Sequence, residues 1–180
     1  MASDGDLIRR FLSGDRAAFD ELVIRHRKQV YATACRMVGS PEIAEEISQE
    51  TFVRAFKGLR SFRHKAGFGT WLYRITMNLC YDELRRHQKE AELVPQPAAG
   101  GSADSPHEQL IEKERRVWLE RQIGSLPFKQ RSVLILRIFR GMSFKDIGRT
   151  VGCSTASAKT NYRHAVLKLK SAFVQSGEKL

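Results

Sequence analysis

Between Phe68 and Arg86 the chain reads FGTWLYRITMNLCYDELRR, and Tyr73, Arg74, Asn78, Arg85 and Arg86 set a phenol ring, cations and an amide close together. These residue types do little covalent chemistry, but in combination they suit nucleic acid. Flat rings stack on unpaired bases, amides read base edges, and guanidinium groups hold phosphates. Phe68, Trp71, Leu72, Ile75 and Leu79 recur in the same stretch at i, i+3, i+4, i+7 and i+11, the period of an amphipathic helix with one buried stripe. The stretch is expected to bury one side and offer the other to a polyanion, although a core helix with a merely basic outer face fits the same residues.

The elements around it follow from punctuation and charge. Before it, RAFKGLRSFRHKAG carries Arg54, Lys57, Arg60, Arg63 and Lys65 interleaved with Phe56 and Phe62 between glycines. Phe56 is expected in the core, whereas Phe62 can be a lid over a pocket or a buried anchor. Further upstream, Pro41 sits at a helix start and Glu42, Glu45, Glu46, Gln49 and Glu50 form an acidic face opposite Ile43 and Ile47. That face fits a protein-docking surface as well as a solvated helix side. Residues 3–38 read as a short helix through Leu7 and Phe11, then a longer one from Phe19 to Met37 closed by Gly39-Ser40-Pro41. His26 is expected as a packed core or boundary histidine.

After Arg86 the composition changes. Residues 91–106, AELVPQPAAGGSADSP, are rich in Pro and Gly and lack aromatic rings, so a linker is placed at 90–106 between an N-terminal domain, 1–89, and a C-terminal domain, 107–180. In the second, Trp118 is expected as a core anchor and Ser125 as an N-cap. Val133, Leu134, Leu136, Ile138 and Phe139 then form a strongly apolar helix closed by Gly141. Ser143 with Asp146 makes a capping box, Gly152-Cys153-Ser154 makes a turn, and the helix beyond it turns Ala158, Tyr162, Ala165, Val166 and Leu169 inward. Thr155, Ser157, Lys159, Thr160, Arg163 and Lys168 face out, which is the pattern of a helix-turn-helix with a basic recognition helix. The expected fold class is all-α: two small helical domains joined by a flexible linker, the second a helix-turn-helix domain.

The formal charge of +11 and the pI near 10 call for a polyanionic partner. Residues 1–53 carry seven Lys and Arg against nine Asp and Glu, and residues 54–89 nine against two; residues 90–124 carry four against seven, and residues 125–180 eleven against two. Two basic blocks alternate with two acidic ones, as in a chain that grips a polyanion twice and touches something else between. Cys35, Cys80 and Cys153 are far apart and fit reduced structural thiols. No usable nucleophile, metal cluster or phosphate-cradling glycine loop occurs, so neither enzyme chemistry nor a cofactor or metal is expected. No apolar run reaches the length of a membrane span and the N-terminus has no apolar signal core, which predicts a cytoplasmic protein without membrane insertion.

The pattern Phe68-x-x-Trp71-Leu72-x-x-Ile75-x-x-Asn78-x-x-x-Asp82-x-x-Arg85-Arg86 resembles the promoter-melting segment of bacterial extracytoplasmic-function sigma factors. AEEISQETFVRAF resembles the polymerase-docking segment of that family. The run from Leu126 to Lys170 resembles its minus-thirty-five recognition domain. The resemblance implies a sigma factor that directs RNA polymerase core to promoter DNA, with Glu42, Glu45, Glu46, Gln49 and Glu50 on the polymerase. Arg60, Ser61, Phe62 and Arg63 would lie at an extruded minus-ten base, and Trp71, Tyr73, Arg74, Asn78, Arg85 and Arg86 on the melted strand. Thr155, Ser157, Lys159, Thr160 and Arg163 would lie on the minus-thirty-five duplex. It also implies an anti-sigma factor as a partner. Gly148, Ala158 and Asn161 depart from the family's usual alanine, valine and arginine, and are expected to loosen the inner packing slightly. A self-sufficient helix-turn-helix regulator is the alternative, but it has little use for the first basic, aromatic block. In the family the two elements lie about two helical turns, roughly 70 Å, apart. The free chain is therefore not expected to bind a promoter specifically until polymerase holds its domains apart.

Overall fold

The computed structural model describes residues 2–62, 66–93 and 107–176, and among these every regular element is helical. The order is α1 (Asp4–Leu12), α2 (Ala17–Val38), α3 (Pro41–Gly58), a short 3₁₀ turn (Leu59–Ser61), α4 (Phe68–Leu93), α5 (His107–Gly124), α6 (Phe128–Arg140), α7 (Phe144–Val151) and α8 (Thr155–Gln175). The first four residues of the expected linker thus belong to α4, and its remainder from 94 to 106 lies outside the described residues.

Local signals start and stop most of these helices. Ser3 and Asp6 form a reciprocal capping box that opens α1, and the Ser40 hydroxyl accepts from Ile43 N–H ahead of Pro41 in α3. Gly39, Gly141 and Gly152 end α2, α6 and α7 in the left-handed conformation that a side chain would disfavour. Ser125 is an exception. Its hydroxyl donates to the Gln122 carbonyl at the end of α5, and the N-cap of α6 is Pro127, which has no side-chain hydrogen bond to give.

Two apolar clusters result. One holds Leu7, Ile8, Phe19, Leu22, Val30, Phe52, Leu59, Phe68 and Leu72, so α1 to α4 share a core near the start of α4. His26 stands at its edge as a boundary histidine, with its Nε2 2.8 Å from Asp4 Oδ2 and its ring 5.3 Å from Phe68. The other cluster runs from Met37, Ile47, Met77 and Cys80 in the first half to Leu126, Val133, Leu136, Ile147, Ala158 and Ala165 in the second. One apolar seam therefore joins α2, α3 and α4 to α6, α7 and α8. Five consecutive residues of α6, Ser132 to Leu136, are buried, because one side of the helix packs on α7 and α8 and another on α2.

Some expected core positions sit differently. Phe56 is 43% exposed, with its ring edge-on to Phe11 at 5.2 Å and Phe19 at 5.1 Å, because it lies at the rim of the first cluster. Trp118 is half-buried, with its ring 5.9 Å from Phe173. Gly148 is fully inside the helix-turn-helix, and a Cβ there would stand 2.7 Å from the Cys153 carbonyl oxygen. It tightens the turn where looseness was expected.

Candidate nucleic-acid interface

The 3₁₀ turn and the first turns of α4 enclose a cleft of about 410 Å³ lined by Ser61, Phe62, Ala66, Thr70, Trp71 and Arg74, with Arg149 of α7 on its far side. Four of the expected residues, Ser61, Phe62, Trp71 and Arg74, are brought together here. The Phe62 ring lies 5.1 Å from Trp71, and Trp71 lies 5.8 Å from Phe68, so half-buried rings form an apolar wall braced by the core. Ser61 donates its hydroxyl hydrogen to the Gly58 carbonyl at 2.8 Å, which leaves its oxygen as an acceptor toward the cleft. Arg74 is exposed and one turn beyond Thr70. A flat base against the rings with a phosphate on the guanidinium fits this combination.

Asn78 and Arg85 continue the face of Arg74 along α4 at i+4 and i+11, and both are exposed. Arg86 lies beside them, its Nη2 2.6 Å from Glu83 Oε1. Arg60 is exposed on the 3₁₀ turn but does not line the cleft, and Arg63 lies outside the described residues. Tyr73 is a correction: expected on the solvent side, it is only 7% exposed, and its hydroxyl donates to Gln29 Oε1 at 3.1 Å. Burial raises its phenol pKa above the ordinary value, an effect offset in part by the Arg140 guanidinium of α6. Thr70 and Ala66 were missed by sequence reasoning. Thr70 was within reach, since it precedes Arg74 by four residues in the same helical register. Arg149 carried no such signal.

On α3, Glu42, Glu45, Glu46 and Gln49 are exposed and Glu50 is half-buried, opposite buried Ala44, Ile47, Ser48 and Thr51. The Glu42 carboxylate accepts from its own backbone N–H and from the Ser40 hydroxyl, and both hold its pKa below the ordinary value. Gln49 donates to Glu45 at 3.2 Å and Arg54 pairs with Glu50 at 2.7 Å. Glu42, Glu45, Glu46 and Gln49 thus face solvent as an acidic, largely uncovered strip.

In the helix-turn-helix, Cys153 N–H donates to the Gly148 carbonyl at 2.9 Å, and the Ser154 hydroxyl caps α8 by accepting from Ser157 N–H at 3.0 Å. Thr155, Lys159, Thr160 and Arg163 are exposed, and Ser157 is half-buried. Asn161 donates to the Ser157 carbonyl at 2.9 Å, so its amide is committed within the helix. Ala158 and Ala165 are fully buried, and the Tyr162 ring meets Phe144 at 5.6 Å, which turns the basic face outward at the positive end of the helix dipole. Among the described residues no group of His, Cys, Asp and Glu could hold a metal, and no helix is long and apolar enough to cross a membrane.

Residues 22–90 match the family described as Sigma-70 region 2, and residues 116–169 match Sigma-70, region 4. The RNA polymerase sigma-H factor of Pseudomonas aeruginosa is 30% identical over 167 residues, covering 87% of this chain and 86% of that protein. The ECF RNA polymerase sigma factor SigM of Mycobacterium tuberculosis is 30% identical over 167 residues, covering 93% and 83%. Among solved structures, CnrH in complex with the cytosolic domain of CnrY superposes with a TM-score of 0.70 at 26% identity, over 96% of this chain and 97% of CnrH.

Proposed function

The chain belongs to the extracytoplasmic-function sigma factors of bacterial RNA polymerase, and on that basis we propose how its surfaces divide the work of promoter recognition. As a sigma factor it brings the polymerase core to specific promoters and initiates transcription there. The acidic strip Glu42, Glu45, Glu46, Gln49 and Glu50 docks on the core enzyme. The cleft of Ser61, Phe62, Trp71 and Arg74 receives a base extruded from the minus-ten element, while Asn78, Arg85 and Arg86 guide the melted strand away along α4. Thr155, Ser157, Lys159, Thr160 and Arg163 read the minus-thirty-five duplex. Residues 1–89 and 107–180 act as the two DNA-reading domains, spanned by 90–106.

The cleft is the observation that carries this reading. A reader of intact duplex has no need of an open, ring-walled pocket, whereas a protein that melts DNA must hold the extruded base and offset an unstacking cost of a few kcal/mol. Stacking on an aromatic ring supplies about 1 to 3 kcal/mol per base, so two rings are of the right size for the task. The work is binding and strand separation, without chemistry on a substrate. It is done in the cytoplasm, where the polymerase is. CnrH was solved bound to a second protein, which supports an anti-sigma factor as a partner of this chain too. The test is run-off transcription by purified core polymerase with and without the chain, on promoters mapped after overexpression. Transcripts that start at the same sites without the chain would overturn the reading.

A further inference from the structure

The cleft beside α4 is walled from both halves of the chain and carries one cation more than a strand phosphate needs. Phe62 and Trp71 give it two half-buried rings with centroids 5.1 Å apart, and Arg74 and Arg149 give it two exposed guanidinium groups. Among the described residues that line it there is no carboxylate. Asp146, one turn before Arg149 on α7, stands 3.6 Å from its Nη1, while the other carboxylate oxygen accepts from the Ser143 hydroxyl at 2.6 Å. That exposed pairing is one an incoming anion can displace. Two cations turned toward one cleft repel each other unless an anion lies between them. A strand phosphate offers a single negative charge, whereas a terminal phosphomonoester carries about two at neutral pH. At about 410 Å³ the cleft falls within the roughly 300 to 1,000 Å³ of small-molecule sites.

We propose that this cleft is a binding site for a free nucleoside 5′-phosphate. The base stacks on Phe62 and Trp71, and the phosphate lies between Arg74 of α4 and Arg149 of α7, two charges against two. The Ser61 hydroxyl gives its hydrogen to the Gly58 carbonyl at 2.8 Å, so its oxygen accepts, which favours a base with an exocyclic amine such as adenine or cytosine. The proposal rests on the reading of the cleft as a base site and adds a small-molecule ligand to it. One pair of rings cannot hold a nucleotide and an extruded promoter base together. The nucleotide therefore competes with the minus-ten strand and couples transcription to the nucleotide pool.

Trp71 is the reporter, because a base stacked on its ring quenches its fluorescence. The full-length chain carrying Trp118→Phe, which leaves Trp71 as the single tryptophan, is titrated with adenosine 5′-monophosphate at about 0.15 M salt, where non-specific phosphate binding is weak. Adenosine, inorganic phosphate and the phosphodiester adenylyl-adenosine are measured in parallel, by quenching or by displacement of the monophosphate. The expected result is saturable quenching by the monophosphate, with binding of each of the other three about tenfold weaker or worse. Arg149→Gln and Phe62→Ala, which remove a phosphate contact from one half and a base contact from the other, should each weaken the monophosphate by about tenfold at unchanged helicity. The site is overturned if the monophosphate does not quench, or if either variant binds it like the parent. Equal binding of adenosine or of inorganic phosphate would also overturn it, leaving a ring surface or an anion patch, and equal binding of the phosphodiester would leave a strand site alone. These titrations contain no polymerase, so their failure leaves the transcription test standing. Failed run-off transcription would instead undo the sigma reading, while the titrations would still report on the cleft.

Discussion

Arg131 donates from Nη1 to the Met37 carbonyl at 2.6 Å, tying the start of α6 to the last turn of α2 across 94 residues of sequence. Its Nη2 meets the carbonyls of Gly124 and Leu126, so one guanidinium satisfies chain ends from both halves. Partial burial lowers its pKa from the ordinary value, and the carbonyl partners help to make a half-buried cation tolerable. Arg131→Ala leaves those carbonyls unpaired and is expected to cost about 1 to 3 kcal/mol in urea unfolding. Arg131→Lys keeps the charge but not the fork, and should recover only part of that loss. An alanine variant as stable as the parent would show that solvent replaces these bonds at no cost.

Gly148 governs the recognition helix through the turn. With a Cβ placed 2.7 Å from the Cys153 carbonyl oxygen, Gly148→Ala must push the backbone of the turn outward. The expected cost is about 1 to 3 kcal/mol in unfolding, with weaker minus-thirty-five protection by the holoenzyme in footprints. Unchanged stability and footprint would mean that the turn has room the structure does not show.

Assembly and melting should separate by mutation. Reversing Glu45 and Glu46 to Lys is expected to abolish capture by core polymerase. Asn78→Ala should assemble normally and fail to open DNA, read as the loss of permanganate-reactive thymines. Phe62→Ala should do the same, losing about 1 to 3 kcal/mol of stacking. Normal opening by both variants would show that the cleft and the α4 face do not hold the melted strand.

Lys159→Ala and Arg163→Ala remove exposed cations from α8. For each cation that neutralises a phosphate, its removal should lower the salt slope of holoenzyme binding to the minus-thirty-five duplex by about 0.9. Removal of a side chain that reads a base edge should instead relax sequence preference by about 1 to 3 kcal/mol. Parent-like binding by both variants at every salt concentration would place the DNA on another face of the helix.

Asp6 gives a pH dependence with a definite sign. The Ser3 hydroxyl and backbone N–H, followed by Arg9, hold its carboxyl at about 2 against an ordinary value of 3.8. A depressed carboxyl stabilises the fold fully above the unfolded value, and the contribution is lost as pH falls from about 4 through about 2. In NMR titrations the Ser3 amide should move with a midpoint near 2, and Ser3→Ala should raise the Asp6 midpoint. A parent midpoint near 3.8 would mean that the box does not form in solution.

Local sequence was enough to specify the helices, most of their ends and the helix-turn-helix faces. Ser143 with Asp146, Ser154, Gly141 and Gly152 act within a few residues of themselves, and Ala158 and Ala165 repeat at helical spacing, so their roles are written locally. Ser125 failed for a local reason too, since its hydroxyl turned back to Gln122 and left the cap of α6 to Pro127. What meets across the chain came from the tertiary fold alone. Tyr73 looked like a solvent-facing aromatic because periodicity reports one apolar stripe, but Gln29 and Arg140 approach α4 from a second side and bury it. The same limit hid Arg149 from the cleft and left the unbroken apolar run of α6 unexplained. A helix that packs on two neighbours buries residues all round, and which neighbours those are depends on contacts between segments far apart in the chain, which no local pattern records.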